Sequence, residues 1–541
     1  MSLIFISALL LLLDIFILSV FDLRYLINFD RKLKIPKYKD LERNITLFIL
    51  FPVKNEEQEV LIKKIEYLEK IENKYNKLKL YFAFIDDTDI NKEELMIKYL
   101  RSKGAKEYIE DNFYIFDLDK IKYLFRLNGI KRKGAALDDT IDYLVKKYNI
   151  EYVSIYDFEW TINVDYLYKA LCILESNKDL SFVYWNRRTV SVDYFHKIVG
   201  IYVDTFFEFY LPMKNLLDDI SMAHGSCGIL RIEDYNKVGK FTPHLTEDAS
   251  LTLRLYLNGY RGLYIRDWVE YGQNLPPNFN MTLKTLRRWQ SGTFDVIFSN
   301  FWKIIKNKKL NLKQKISFIH MFSSVFLPIV SFILISISLI IIIFNISSSL
   351  YPYISIFFYF SQIYIISIFI SEYYLVEKRI YSKGYIKDAF LTLLLGWGIS
   401  ALTIIYYLRR IFLGLDNKWI VTKKLIRRYN YDLYSIIVFS IFLMINLYFV
   451  YYSWSSLIKY FKYIGIYQFL LSLILGNLST YIWIISLIFI FYLQYRSYHM
   501  KERDLNNLLY LGISDGESYN KTKIIIKNDR VGRNKESLYE T

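Results

Sequence analysis

The stretches that most constrain this sequence lie in its C-terminal part. Ile316–Ile346, Tyr353–Ser371, Ala389–Leu408, Leu433–Tyr452 and Gly465–Tyr495 are apolar and long enough to cross a bilayer. They predict an all-α membrane domain over 316–495, with four to six helices. A further apolar run, Leu3–Leu26, is interrupted only by Asp14, Asp22 and Arg24. It starts without basic residues and ends in bulky Tyr and Leu, so residues 1–28 read as a membrane anchor rather than a cleaved signal peptide. The basic residues that follow, Arg31, Lys32, Lys34, Lys37 and Lys39, place the next segment in the cytosol by the positive-inside rule. Both flanks of Ala389–Leu408 are basic, and Gly396-Trp397-Gly398 sits at its middle. A re-entrant or hairpin path is therefore expected there, since a simple crossing would leave one basic loop outside.

Composition agrees with a polytopic chain carrying a large soluble insert. Hydrophobic residues make up 53% while charged residues still reach 23%, a combination rare in uniformly soluble proteins. The net charge of +16 raises the question of a nucleic-acid partner. Because the Lys and Arg flank apolar runs, anionic headgroups account for them, and no nucleic acid is expected. Cys172 and Cys227 lack ligand-type spacing and read as reduced thiols. The tail at 496–541 is charged and expected in the cytosol.

Between the apolar zones, residues 44–310 alternate strand-like and helix-like segments. Ile45–Val53 and Leu78–Ile85 read as buried strands, with Leu61, Ile65 and Leu68 at helical spacing between them. Glu151–Tyr156 and Ser181–Trp185 are further strands around a helix near Val164–Leu174. The alternation predicts an α/β domain with a mainly parallel sheet and helices on both faces. Such sheets bind ligands at the carboxyl ends of their strands.

Acidic residues stand at two of those ends. Asp86-Asp87 closes the second strand and reads either as a base- or ribose-binding pair or as a polar strand exit. Asp157-Phe158-Glu159 puts two carboxylates on one side of an extended segment, suited to a hard divalent cation such as Mg²⁺ or Mn²⁺; a plain acidic loop fits equally. Thr246-Glu247-Asp248 opens a helix, with Thr246 as the expected N-cap. Asp248 there is either a favourable first-turn charge or a general base. Arg287-Arg288-Trp289 offers guanidinium groups for a diphosphate and a flat face for a sugar, or an interfacial basic-aromatic helix. Lys131–Leu137 reads as a basic loop entering a helix. His224 and His320 read as structural.

Taken in order, these segments resemble the family 2 glycosyltransferases of the GT-A fold, especially the membrane-integrated branch of cellulose, chitin and hyaluronan synthases and ceramide glucosyltransferase. The resemblance runs from Leu47 to Asn300 and begins at Phe51-Pro52-Val53-Lys54-Asn55-Glu56-Glu57. Asp86-Asp87 is similar to the family's nucleotide-binding pair, Lys133-Gly134 with Ala136-Leu137 to its Gly-Lys-type loop, and Asp157-Phe158-Glu159 to its Asp-x-Asp metal motif. Gly225-Ser226-Cys227-Gly228 resembles the acceptor-side loop, Thr246-Glu247-Asp248 the catalytic-base motif and Arg288-Trp289 the end of Gln-x-x-Arg-Trp. Trp419 and Thr422-Lys423 resemble family positions beyond it. Two departures stand out: Glu159 replaces the second Asp, and Thr285 stands in place of the Gln.

The resemblance implies an inverting glycosyltransferase at the cell membrane, its catalytic domain cytosolic, using a nucleotide-diphosphate sugar (a UDP-sugar on this basis). It implies a lipid or membrane-proximal saccharide acceptor, with Asp248 and Glu247 catalytic and Asp157 and Glu159 holding the metal. Asp86, Asp87, Lys133, Arg287 and Arg288 would bind the donor, and Gly225, Ser226, Cys227 and Trp289 the acceptor. The absent Gln points to a short product; processive synthesis with export is the alternative within the class, and a nucleotide-sugar-sensing or transport protein the alternative outside it.

Overall fold

A computed structural model describes residues 20–190, 194–242, 244, 246–272, 279–321, 351–413, 433–460 and 478–498. Most of the apolar runs Leu3–Leu26 and Ile316–Ile346, part of Gly465–Tyr495, Trp419, Thr422-Lys423 and the tail from 499 lie outside the described residues.

Nine strands form one sheet: β1 (Ile45–Val53), β2 (Leu78–Asp86), β3 (Lys106–Glu110), β4 (Phe113–Leu118), β5 (Ile121–Arg126), β6 (Tyr152–Ile155), β7 (Leu180–Thr189), β8 (Gly228–Arg231) and β9 (Arg261–Gly272). Their spatial order is β3-β4-β5-β2-β1-β6-β8-β7-β9. β1 pairs in parallel with β2 and β6, and β2 with β5. The sheet is nevertheless mixed rather than mainly parallel: β3-β4-β5 and β6-β8-β7 run antiparallel. Tight turns build the first of these ladders, with Asp111 at φ 49° and Asp119 at φ 62°. Short-chain Asp tolerates that left-handed conformation better than most residues. The strands it joins are short and partly charged, which hid them from an apolar-run reading.

Period-two alternation divides the central strands between two cores. Phe48 and Leu50 of β1 face one side with Ala83 and Ile85 of β2. Leu47, Ile49 and Phe51 face the other with Phe82 and Phe84. Helices cover both faces. Gln58–Glu69 buries Val60, Leu61, Ile65 and Leu68. Val164–Ser176 starts at Asn163, whose side chain accepts from Asp165 N at 2.9 Å. Lys133–Tyr148 ends at Asn149, left-handed at φ 49°.

After β7 the chain forms a buried helical stretch, Tyr194–Asp218, with five-residue turns at Phe206–Tyr210 and Lys214–Asp218. It joins the sheet to the long C-terminal helices Tyr351–Tyr381, Ile386–Leu413, Leu433–Tyr460 and Leu478–Tyr498. Lys197 pairs with Glu377 and with Asp388, the latter at 2.6 Å. Glu208 is ringed by Arg188, Arg266 and Arg379. Among the described residues no helix is long and apolar enough to cross a membrane.

Ile386–Leu413 is one continuous helix, which replaces the expected broken path. Its glycines serve packing instead. A Cβ on Gly396 would lie 2.9 Å from the Tyr202 ring, and one on Gly398 2.5 Å from Ile490. Both cysteines are free and buried, as expected.

Candidate active site

Four chain segments converge where β6 ends. Asp157 follows that strand and keeps a partly open carboxylate, its side chain 28% exposed. Lys133, the first residue of its helix, donates from Nζ to Asp157 Oδ1 at 2.7 Å and to the Gly225 carbonyl at 3.3 Å. Ser226 Oγ accepts the Asp157 backbone N–H at 3.0 Å and so fixes the start of this loop. Gly225 has φ 75°, and a Cβ there would meet Asp248 Oδ2 at 2.9 Å. Only glycine suits both that backbone and that approach.

Asp248 occupies the first turn of the helix Glu247–Leu257, and its Oδ1 accepts from Ala249 N at 2.8 Å. Burial pushes its pKa above the ordinary value, against the pull of that N–H and of Lys133, Arg187 and Arg288. Burial, then the neighbouring Asp248 charge, raises Glu247 to about 7, again opposed by Lys133 and Arg288. For Lys133 burial acts downward, but Asp157, Glu247 and Asp248 outweigh it and hold the ammonium charged. Three carboxylates and three cations thus share one site. A carboxylate with a raised pKa beside clustered cations is chemically suited to proton abstraction.

Several expected residues sit elsewhere or act differently. Asp86 is fully buried, its Oδ2 taken by Tyr123 OH at 2.7 Å and its Oδ1 by Thr88 N at 2.8 Å, so it is a structural group. Asp87 is nearly buried and ion-paired with Arg126 at 3.1 Å, with Lys54 and Lys131 in electrostatic range. Ser226 and Cys227 are wholly buried and hold the loop rather than offering side chains to an acceptor. Thr246 occupies the N-cap position, but its hydroxyl caps no N–H and is buried without a hydrogen-bond partner among the described residues.

Arg288 lowers the pKa of both Glu247 and Asp248, while Arg287, one residue earlier on the helix Phe279–Lys306, is half-buried. Trp289 packs partly against the core beside them. Thr285 donates its hydroxyl to Met281 O at 3.0 Å within the same helix. His224 and His320 are both buried, His320 beside Lys214 and Asp22. Arg187 was not anticipated. It lies on β7 with Nη1 3.8 Å from Asp157 Oδ2, and no motif marks it. The available signal was a basic pair, Arg187-Arg188, one residue beyond the apolar stretch that ends in Trp185.

A divalent cation fits this site in limited form. Asp157 presents one carboxylate, whereas Glu159 is 6% exposed, with Lys64 in electrostatic range of its charge. Among the described residues no group of three or more His, Cys, Asp or Glu is placed to hold a metal ion. Mg²⁺ commonly takes one or two carboxylates and completes its shell with substrate phosphates and water. Asp157 offers an accessible carboxylate of that kind, whereas Glu159 is buried, with its Oε2 making no hydrogen bond among the described residues.

The mixed α/β sheet and the strand-end cluster can be set beside known proteins. Residues 152–375 match the family described as glycosyl transferase family group 2. Glucomannan 4-beta-mannosyltransferase 1 of Oryza sativa subsp. japonica is 25% identical over 37% of this chain and 39% of its own length. Glucomannan 4-beta-mannosyltransferase 2 of Arabidopsis thaliana is 26% identical over 37% and 38%. The chain thus spans well under half the length of these relatives. A structure of the mannosyltransferase PcManGT from Pyrobaculum calidifontis, in complex with GDP-Man and Mn²⁺, aligns with a TM-score of 0.43 and 14% identity, over 60% of this chain and 83% of that one.

Proposed function

We propose that the chain transfers a sugar, with inversion, from a nucleotide-diphosphate sugar to a saccharide or lipid acceptor at a membrane. The observation that carries this reading is the convergence of Lys133, Asp157, Gly225, Asp248 and Arg288 from separate segments onto one strand end. Asp248 accepts the acceptor hydroxyl's proton as the new C–O bond forms at the anomeric carbon and the bond to the diphosphate breaks on the opposite face. Lys133 and Arg288 present positive charge to the departing diphosphate. Asp157 would hold Mg²⁺ or Mn²⁺, which neutralises the same charge when bound. Lys54, Asp87 and Lys131 lie at the β1 and β2 side, where the nucleotide is placed in this reading.

The relatives' names favour a mannosyl donor, so GDP-mannose belongs beside UDP-sugars as a first candidate. Placement in the cell membrane, multi-pass with the domain in the cytosol, rests on the apolar runs and their basic flanks. A second reading, repeated transfer to build a polymer, is favoured by those same names. Thr285, whose hydroxyl bonds within its own helix, gives no reason for a short product. Membranes containing the chain, incubated with a panel of labelled nucleotide sugars, test the proposal. Label should appear in lipid-soluble or polymeric product; no incorporation from any donor would refute it.

A further inference from the structure

Arg187 is a buried cation with little to do structurally. Its side chain is 8% exposed, and the guanidinium lies 4.3 Å from the Phe207 ring and 5.2 Å from the Trp160 ring. Arginine carries five N–H donors in a fixed plane. Among the described residues none of the five makes a hydrogen bond; Nε is fully buried, and Nη1 stops 3.8 Å short of Asp157. Arg231, equally buried on β8, shows what a structural arginine does here. It donates to Tyr152 OH at 2.7 Å, to Leu174 O at 2.7 Å and to Leu180 O at 3.3 Å. An unbonded buried guanidinium is costly unless a ligand completes it.

Its place in the sheet says which part of a ligand that would be. Strand order runs β2-β1-β6-β8-β7, with Asp87 just beyond β2, Asp157 just beyond β6 and Arg187 on β7. A donor with its diphosphate at Asp157 and Lys133, and its nucleotide toward β1 and β2, directs its sugar toward β8 and β7. Arg187 is also deeper than Lys133, whose side chain is 22% exposed, and its charge is felt by Asp248. In this reading the group between the diphosphate position and the proton-accepting Asp248 is the transferred sugar.

We propose that Arg187 is a specificity residue that donates hydrogen bonds to hydroxyl oxygens of the transferred sugar. The two aromatic rings lie close to the guanidinium, whose rigid planar fork of donors suits adjacent hydroxyls. The assignment rests on the nucleotide-sugar reading above.

The test compares full-length wild type with Arg187→Gln and Arg187→Lys, each titrated with Mn²⁺ and GDP, GDP-mannose, UDP or UDP-glucose. Arg187→Gln should keep nucleoside diphosphate affinity within about twofold and lose about tenfold or more for the nucleotide sugar, as expected for lost charge-assisted hydrogen bonds. Arg187→Lys should recover part of that loss. Equal losses for both ligand types would place Arg187 on the diphosphate, and unchanged affinity for both would make it structural; either overturns the proposal. If Arg187→Gln fails to fold, the wild type is titrated with donors lacking single sugar hydroxyls, and Arg187→Lys should then discriminate less between them. Equal discrimination by both proteins would overturn the assignment. A wild type that binds none of the four probes would refute the proposed function itself, whereas binding with no Arg187 effect refutes only this inference.

Discussion

Two parallel strands of this sheet, β2 and β6, run out into acidic pairs, and the chain treats the pairs in opposite ways. At β2, Tyr123 and Thr88 occupy Asp86, and Arg126 neutralises Asp87. At β6, Asp157 stays partly open, and its partners Lys133 and Arg187 are themselves site groups. The local sequence pattern is much the same. What separates the pairs is burial: the surrounding fold covers Asp86 and nearly covers Asp87, while Asp157 keeps 28% of its side chain exposed. A strand-end carboxylate can meet a ligand only where neighbouring segments leave it accessible.

The largest effect expected lies on the β6 side. Asp248→Asn should lower transfer on the order of a hundred- to ten-thousand-fold, while donor affinity and unfolding midpoint stay close to wild type. Single-turnover assays on purified protein measure this, and near-normal turnover would remove Asp248 from the mechanism.

Asp86→Asn should show the opposite pattern. The new amide cannot accept from both Thr88 N and Tyr123 OH as the carboxylate does, so stability should fall by about 1–3 kcal/mol in chemical denaturation. Transfer per folded molecule should change little.

A third effect concerns pH. Asp248 and Glu247 are raised by burial and lowered by Lys133. Deprotonation activates the base, so kcat/KM should fall as pH drops through a limb set by the pair, above the ordinary aspartate range. Removing a positive neighbour favours the protonated form, so Lys133→Met should move that limb to higher pH. A limb that stays put, or moves down, would show that Lys133 does not act on the pair. The smallest effect is expected at Thr285. Its hydroxyl bonds Met281 O, so Thr285→Val should cost no more than about 1 kcal/mol and leave product length unchanged. A changed product size on a gel would return Thr285 to the acceptor site.

Much of this was legible in the residues. β1 and β2 are largely apolar runs, and Lys133, Asp157, Gly225, Asp248 and Arg288, read from the sequence as one site, are brought near one another by the fold. Other features had no local signature. β3 to β5 are short, charged strands whose turns depend on Asp111 and Asp119 adopting positive φ. Gly396 and Gly398 read as a break because glycine weakens helices. Their actual role, close contact with Tyr202 and Ile490, is a tertiary fact. The burial of Glu159 and the arrival of Arg187 beside Asp157 likewise depend on segments far apart in sequence. Motif spacing reports which side chains can meet; it does not report which of them the core will cover.

The central claim is that the β6 carboxylate Asp157, not the buried Asp86 of β2, is the group through which the metal and the donor's diphosphate are held. Calorimetric titration of nucleotide sugar into wild type, Asp157→Asn and Asp86→Asn, with and without Mn²⁺, tests it most directly. Metal-dependent binding should disappear in Asp157→Asn and persist in folded Asp86→Asn. Loss in Asp86→Asn with full retention in Asp157→Asn would contradict the account.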